Sequence, residues 1–199
     1  ELASSENGSE QNRHRIDRAL SQVFRIEHIS SALLDLSRLE AGADAGQSRP
    51  ADLRSGIIAI SEMFASRAEQ AGIEFTLDLP EGPAVAEISS DRATQLLEIL
   101  VDNALKYTPE GGRITVGLSI SQETATLTVR DNGPGMSPED LPHIFERFRR
   151  GQNSVDVSGA GLGLTIARAI AENSGGTISA DSGPGGTTLI TVLPVSPDG

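Results

Sequence analysis

Asn103 and Lys106 are the residues with which chemistry could begin. They stand in "EILVDNALKYTPEGG", Glu98 to Gly112. Three and four positions after Asn103, Lys106 and Tyr107 share its helix face. An amide oxygen can ligate a hard cation, and an ammonium can meet a phosphate as a point charge. The chain has sixteen basic residues, and Lys106 is the only lysine among them. Leu96, Leu97, Ile99, Leu100, Val101, Ala104 and Leu105 leave this helix almost no solvent face, so it is expected to be mostly buried. There an unsatisfied amide costs ~1–3 kcal/mol. The plainer alternative is the surface edge of a packing helix, with Lys106 snorkelling into solvent.

Three further stretches have the composition of a ligand site. "DNGPGM", Asp131 to Met136, follows an alternating segment. A carboxylate at a strand end can accept from an exocyclic amine, and Gly133 and Gly135 let a flat ring approach the backbone. Asp-Asn-Gly is also simply a turn signal. "GAGLGLTIARAI" places Gly159, Gly161 and Gly163 before and within a helix start, where backbone N–H groups and the helix dipole suit a phosphate. The spacing is not the dinucleotide fingerprint, because no strand precedes it and the third glycine comes too early. It also fits a hinge entering a helix. "FERFRRGQ" sets Phe145 and Phe148 beside Arg147, Arg149 and Arg150, and fits a charged loop anchored by two aromatics equally well. No Gly-rich P-loop precedes Lys106, so a nucleotide would be held by another architecture.

The elements that must position these residues follow from periodicity. Ile16, Leu20, Val23, Ile26, Ile29, Leu33, Leu36 and Leu39 recur every three or four positions, which predicts one amphipathic helix over Arg13–Glu40, ended by Ala41-Gly42. Its single apolar stripe requires a partner helix, which is missing or comes from another copy of the chain. "ADAGQSRP" reads as a hinge. Beyond it, Leu53, Ile57, Ile60, Phe64 and Ala68 predict a helix stopped near Gly72, and "IEFTLDL" and the weaker "AVAEIS" predict strands. Asp91–Tyr107 is a helix with Asp91 as its N-cap. "RITVGLSI" and "TATLTVRD" form a hairpin around "SQE". Leu162–Asn173 is a helix, and "GTISAD" and "TTLITVLP" are strands around "SGPGG". Helices and largely antiparallel strands alternate without regular βαβ spacing. The expected class is therefore α+β, a two-layer α/β sandwich. The expected organisation is a loop or disordered start over 1–12, a helical unit over 13–42 and a folded domain over 50–197.

Composition narrows the function. A net charge of −12 argues against nucleic acid as a partner. With no cysteine, thiolate metal sites and disulfides are excluded. His14, His28 and His143 are isolated from one another and form no metal-ligand cluster. No apolar run approaches the ~20 residues that span a bilayer. The first residue is Glu and not Met, which reads as a piece of a longer protein. The expected location is the cytoplasm, with any membrane anchor of the parent protein lying upstream.

The order of the stretches is more informative than any one of them. "DNALKYT", "DNGPGM", "FERFRR", "GAGLGL" and "GPGGTT" together resemble the N, G1, F, G2 and G3 boxes of two-component sensor histidine kinases. "LLDLSRLEAG" is similar to the end of the second helix of their dimerisation and histidine-phosphotransfer domain. The resemblance covers the chain from about residue 13. It implies the Bergerat ATP-binding sandwich, with ATP and Mg2+ as ligands. Asn103 would hold the Mg2+, Lys106 would contact phosphates, and Tyr107 would line the nucleotide site. Asp131 would accept from the adenine amine beside Gly133 and Gly135, with Thr187 near the base. Residues 136–160 would form a mobile lid, with Arg150 facing the phosphates. Gly159, Gly161, Leu162 and Gly163 would bring backbone to them. The implied partners are the phosphoacceptor helix of the parent kinase, a downstream response regulator and, through the N-terminal helix, a second copy of the chain.

Two departures qualify this picture. The family's phosphoacceptor motif runs His, acid, any residue, base, Thr or Ser, Pro. "HISSAL" at His28 and "HRIDRA" at His14 both lack it. The chain is thus expected to carry no phosphoacceptor histidine. Ile99 occupies the position, four before Asn103, where related ATPases place a water-activating Glu. Glu98 is one residue off, about 100° round the helix. Transfer is favoured over hydrolysis; a hydrolase, a serine kinase or a non-enzymatic binding module of the same fold are the alternatives.

Overall fold

Alternation along four segments builds most of the sheet. In the computed structural model, which describes residues 15–16, 20, 22–23, 26–27, 29–42, 49–149 and 161–196, β4 (Arg113–Ile120) and β5 (Thr124–Asp131) pair as an antiparallel hairpin with Val116 opposite Val129. β6 (Thr177–Gly183) and β7 (Gly186–Pro194) form a second hairpin, and β7 pairs with β5. β2 (Glu74–Asp78) adds to β4 in parallel, giving the order β2-β4-β5-β7-β6. β1 (Ala51–Asp52) and β3 (Val85–Ala86) make a separate two-residue ladder, so "AVAEIS" contributes only a short strand.

One face of the sheet is apolar by the two-residue period of its strands. Ile114, Val116 and Leu118 of β4, Ala125, Leu127 and Val129 of β5, and Leu189 and Leu193 of β7 are buried. Three helices cover that face: α2 (Leu53–Gln70), α3 (Ser90–Tyr107) and α4 (Gly163–Asn173). α3 packs against both α2 and α4. The result is the expected α+β, two-layer arrangement. The helix bounds differ slightly from expectation. Ser89, not Asp91, caps α3: Ser89 keeps an extended backbone and its side chain accepts from Arg92 N, while Asp91 lies in the first turn. α4 begins at Gly163, with Leu162 as its cap. α3 is also less buried than its composition suggests. Leu96, Leu97, Leu100, Val101 and Ala104 form the buried stripe, and Lys106 is exposed.

Upstream, every described residue between 15 and 40 is helical, and 29–40 form a continuous stretch, here α1. Its turns are not equivalent. Leu36 and Leu39 belong to the same core as the sheet and α2–α4. Ile16, Leu20, Val23 and Ile26 of the same stripe are exposed. Polar contacts fix the docked end. Arg92 of α3 donates to both oxygens of Asp35, at 2.8 and 3.1 Å, and Gln95 donates to Asp35 at 2.7 Å. Asn173 of α4 donates to the Leu39 carbonyl at 2.8 Å, and Arg147 pairs with Glu40.

Candidate functional site

Asp131 is the last residue of β5, and the alternation that buries Ala125, Leu127 and Val129 turns it to the same face. It is a buried carboxylate, 6% exposed, at the rim of the core. Its Oδ1 accepts from Gly133 N at 2.9 Å and from Thr187 N at 3.2 Å. No hydrogen bond to its Oδ2 is formed among the described residues. Burial pushes the carboxyl above the usual aspartate range, and the two backbone N–H groups oppose that shift. The arrangement is one oxygen fixed by backbone and one left to accept.

The walls beside Asp131 are backbone. A Cβ on Gly133 would stand 2.6 Å from the Tyr107 carbonyl oxygen. Gly135 has φ +71°, and a Cβ there would lie 1.8 Å from the Gly183 carbonyl oxygen. No other residue type fits that contact without moving the backbone. Thr187 is buried next to Asp131 on β7. These positions bring Tyr107, Asp131, Gly133, Gly135 and Thr187 into one neighbourhood.

The second part of the site lies along α3. Asn103 and Tyr107 are half-buried and Lys106 is exposed. None of the three side chains has a hydrogen-bond partner among the described residues, whereas Asp102, beside Asn103, is engaged at 2.6 Å with Arg67 of α2. The start of α4 approaches α3 from the other side. A Cβ on Gly163 would meet Ile99 Cγ2 at 3.4 Å, and Ile99 is one turn before Asn103 on α3. The α4 N-terminus carries no side-chain cap and no acidic residue in its first turn. Its N–H groups and positive dipole end are thus free to receive an anion. Leu162 is buried and Gly161 has φ +70°. Gly161 accepts at its carbonyl from Phe148 N, at 2.9 Å, so this turn is stitched to the segment after the 3-10 helix Leu141–His143. Arg150 and all of "GQNSVDVSGA", Gly159 included, lie outside the described residues, as do His14 and His28.

Two residues of this neighbourhood had no place in the sequence reading. Asp140 is buried and exchanges hydrogen bonds with Ser137: Ser137 Oγ donates to its Oδ2 at 3.1 Å, and its own N–H donates to Ser137 Oγ at 3.0 Å. "SPED" carries the Ser-x-x-acid spacing of a capping box, which was the available signal. Ser182, at the end of β6, accepts from Met136 N at 2.9 Å and bonds Thr187 Oγ1 at 2.8 Å. No spacing in the sequence marks it.

Among the described residues no group of three or more His, Cys, Asp or Glu could hold a metal ion. The small cavity lined by Leu53, Gly56, Ile57, Leu97 and Leu127 is apolar and lies between α2 and α3, apart from Asp131.

Comparison with known proteins bears on this geometry. Residues 88–197, which run from just before α3 to just past β7, match the family model described as histidine kinase-, DNA gyrase B-, and HSP90-like ATPase. The sensor histidine kinase RppB of Synechocystis sp. is 34% identical over 185 residues, 92% of this chain and 40% of RppB. The chain therefore spans less than half the length of that relative. Among solved structures, the mycobacterial sensor histidine kinase MprB superimposes with a TM-score of 0.66 at 32% identity, over 73% of this chain and 97% of that one. Full-length ShkA in complex with AMPPNP superimposes with a TM-score of 0.71 at 28% identity, over 88% of this chain and 38% of that one.

Proposed function

The chain belongs to the histidine kinase-, DNA gyrase B-, and HSP90-like ATPase family, and from that premise we propose that it binds Mg-ATP and transfers the γ-phosphoryl group to a histidine outside this sequence. The observation that carries the reading is Asp131. Its Oδ1 is held by two backbone N–H groups, its Oδ2 has no partner among the described residues, and a backbone-lined surface adjoins it. That is an acceptor set for the exocyclic amine of adenine. Tyr107, Gly133, Gly135 and Thr187 line the base. Asn103, Lys106, Gly161, Leu162 and Gly163 serve the phosphates. Arg150 and Gly159 keep the phosphate-facing roles that the resemblance implies.

The donor set fits Mg2+ held largely by the nucleotide. Asn103 offers a half-buried amide oxygen with no protein partner, and no carboxylate cage competes for the ion among the described residues. Mg2+ favours one or two protein ligands completed by phosphates and water. When bound, the ion neutralises charge developing on the transferred phosphoryl group. The protein's own part is positioning and fixed charge. Asp131 sets the base, Lys106 places an ammonium beside the phosphates, and the uncapped α4 N-terminus adds oriented N–H groups. Ile99 stands where a water-activating carboxylate would be needed, packed toward Gly163. This favours transfer over hydrolysis.

In this reading α1 is the end of the second helix of a dimerisation and phosphotransfer hairpin, 13–42, and 50–197 is the catalytic domain. The exposed stripe Ile16, Leu20, Val23 and Ile26 meets the first helix and a second copy of the chain. The acceptor histidine belongs to the parent kinase's first helix, and a response regulator receives the phosphoryl group afterwards. Among the described residues no helix is long and apolar enough to cross a membrane. The proposed location is the cytoplasmic side of a parent whose anchor lies elsewhere.

The test mixes this chain with Mg-ATP and a separately produced helical domain carrying the histidine motif. The expected product is acid-labile phosphohistidine on that domain. No transfer at saturating nucleotide, to an acceptor that a second kinase does phosphorylate, would sink the reading.

A further inference from the structure

Ser182, near the end of β6, joins the loop after β5 and the start of β7 around Asp131. The loop after β5 arrives through Met136 N, which donates to Ser182 Oγ at 2.9 Å. The first residue of β7, Gly186, arrives through its carbonyl, which accepts from Ser182 Oγ at 3.2 Å. β7 arrives through the Thr187 hydroxyl, 2.8 Å from Ser182 Oγ. Between the same segments Gly135 rests on the backbone of Gly183. Ser182 supplies the side-chain hydrogen bonds across that contact.

The proton inventory of this cluster has one full solution. A serine hydroxyl has one proton and two lone pairs. Met136 N–H can only donate, and the Gly186 carbonyl can only accept. Ser182 therefore gives its proton to Gly186 and accepts from Met136. Its second lone pair takes the Thr187 hydroxyl proton. Thr187 Oγ1 is then left with lone pairs alone. The same residue's N–H donates to Asp131 Oδ1 at 3.2 Å, and Asp131 Oδ2, without a partner among the described residues, is also an acceptor.

We propose that Ser182 is a positioning residue for base selection: by fixing the Thr187 hydroxyl as an acceptor, it makes the Thr187–Asp131 edge select a purine bearing an amino group over one bearing an oxo group at the same position. The proposal rests on the nucleotide-binding reading above. It assigns the selectivity not to Asp131 alone but to a hydroxyl relay that starts behind Thr187. An oxo-purine would place a lone pair against lone pairs. Without Ser182, the Thr187 proton is free to turn outward and donate to that oxygen.

Calorimetry with ADP and IDP, each with Mg2+, tests this. Wild type binds ADP more tightly than IDP. In Ser182→Ala that preference shrinks by about five- to tenfold, the worth of one hydrogen bond's reorientation. Ser182→Thr, which keeps the hydroxyl, holds the preference within about twofold of wild type. Should Ser182→Ala not fold, Ser182→Cys preserves volume with only weak hydrogen bonding and carries the same comparison. A purely structural serine would lower stability and both affinities together, leaving the ratio intact; an unchanged ratio in Ser182→Ala or Ser182→Cys overturns the proposal. Wild type that binds neither nucleotide overturns the nucleotide-binding reading itself. Wild type that binds both equally overturns only the role of Ser182.

Discussion

In the proposed nucleotide site, the base end and the phosphate end are built by opposite means. Around Asp131 the polar contacts to Oδ1 and between the flanking segments are made in advance, by backbone N–H groups, by turns packed backbone to backbone and by the Ser182 hydroxyl. Along α3, Asn103 and Lys106 have no protein partner among the described residues, and the α4 N-terminus is uncapped. Under the proposed reading, the contrast follows from what each end must recognise. A base offers a few directional donors and acceptors, and these are read only by groups that cannot rotate away. Phosphates bring their own charge and, with it, a cation. Their residues can wait in water, where an exposed ammonium and a half-exposed amide are satisfied at little cost.

The contrast can be broken from either side. The largest effect is expected at the base end. In Gly135→Ala the new Cβ meets the Gly183 carbonyl at a positive φ, so urea denaturation should show a loss on the order of 3 kcal/mol, together with lost ADP binding. A variant of wild-type stability would show that the turns are not locked. Asn103→Ala comes next, at the phosphate end. Transfer should fall at least ~100-fold, with an unchanged denaturation midpoint, because no protein contact is removed. If it destabilises as Gly135→Ala does, the two ends are not built differently.

Asp131→Asn sharpens the comparison with the smallest structural disturbance. ADP affinity should fall by about ten- to a hundredfold, while the apo protein should be no less stable near neutral pH. An asparagine oxygen can still accept from Gly133 and Thr187, and no desolvated charge remains. The pH dependence carries the sign. Asp131 titrates above the ordinary carboxylate value when folded. Its contribution is fully present below the unfolded pKa and is lost as pH rises through the raised folded one. The stability difference should move in favour of Asp131→Asn across that interval and then level off. Asp35 runs the other way. Burial raises its pKa, but hydrogen bonds from Gln95 and Arg92 and the charges of Arg92 and Arg38 outweigh burial and lower it. Its contribution is present above the ordinary carboxylate pKa and fades as pH falls through the lowered one. Chemical denaturation as a function of pH, for wild type and Asp131→Asn, separates the two.

Strand periodicity makes most of the scaffold legible in the sequence. β4 and β5 alternate cleanly, and their alternation alone puts Asp131 on the inward face. The two-residue ambiguity at the start of α3 arises because neighbours share a chemistry. Ser89, Ser90 and Asp91 are all capping residues, and the cap is the one whose backbone stays extended. Ser182 was illegible for a deeper reason. Thr187 faces it across the β6–β7 hairpin, but Met136 reaches it only through the sheet order that sets β7 between β5 and β6, and that order is a property of the whole sheet. The same holds for α1. Leu36 and Leu39 are the same kind of residue as Leu20 and Ile26, and only the presence of α2–α4 separates docked from exposed turns.

The docked end of α1 sets a threshold for motion between the helix and the proposed nucleotide site. Leu36 and Leu39 are 2% and 1% exposed, and returning a buried leucine to water costs about 1.5–3 kcal/mol. Swinging the helix free of the sandwich therefore costs about 3–6 kcal/mol before any polar contact is broken. At equilibrium between about one molecule in 10² and one in 10⁴ would be undocked. The joint is stiff at rest, yet an upstream input that favours the freed helix by that same ratio is enough to bring it to even odds.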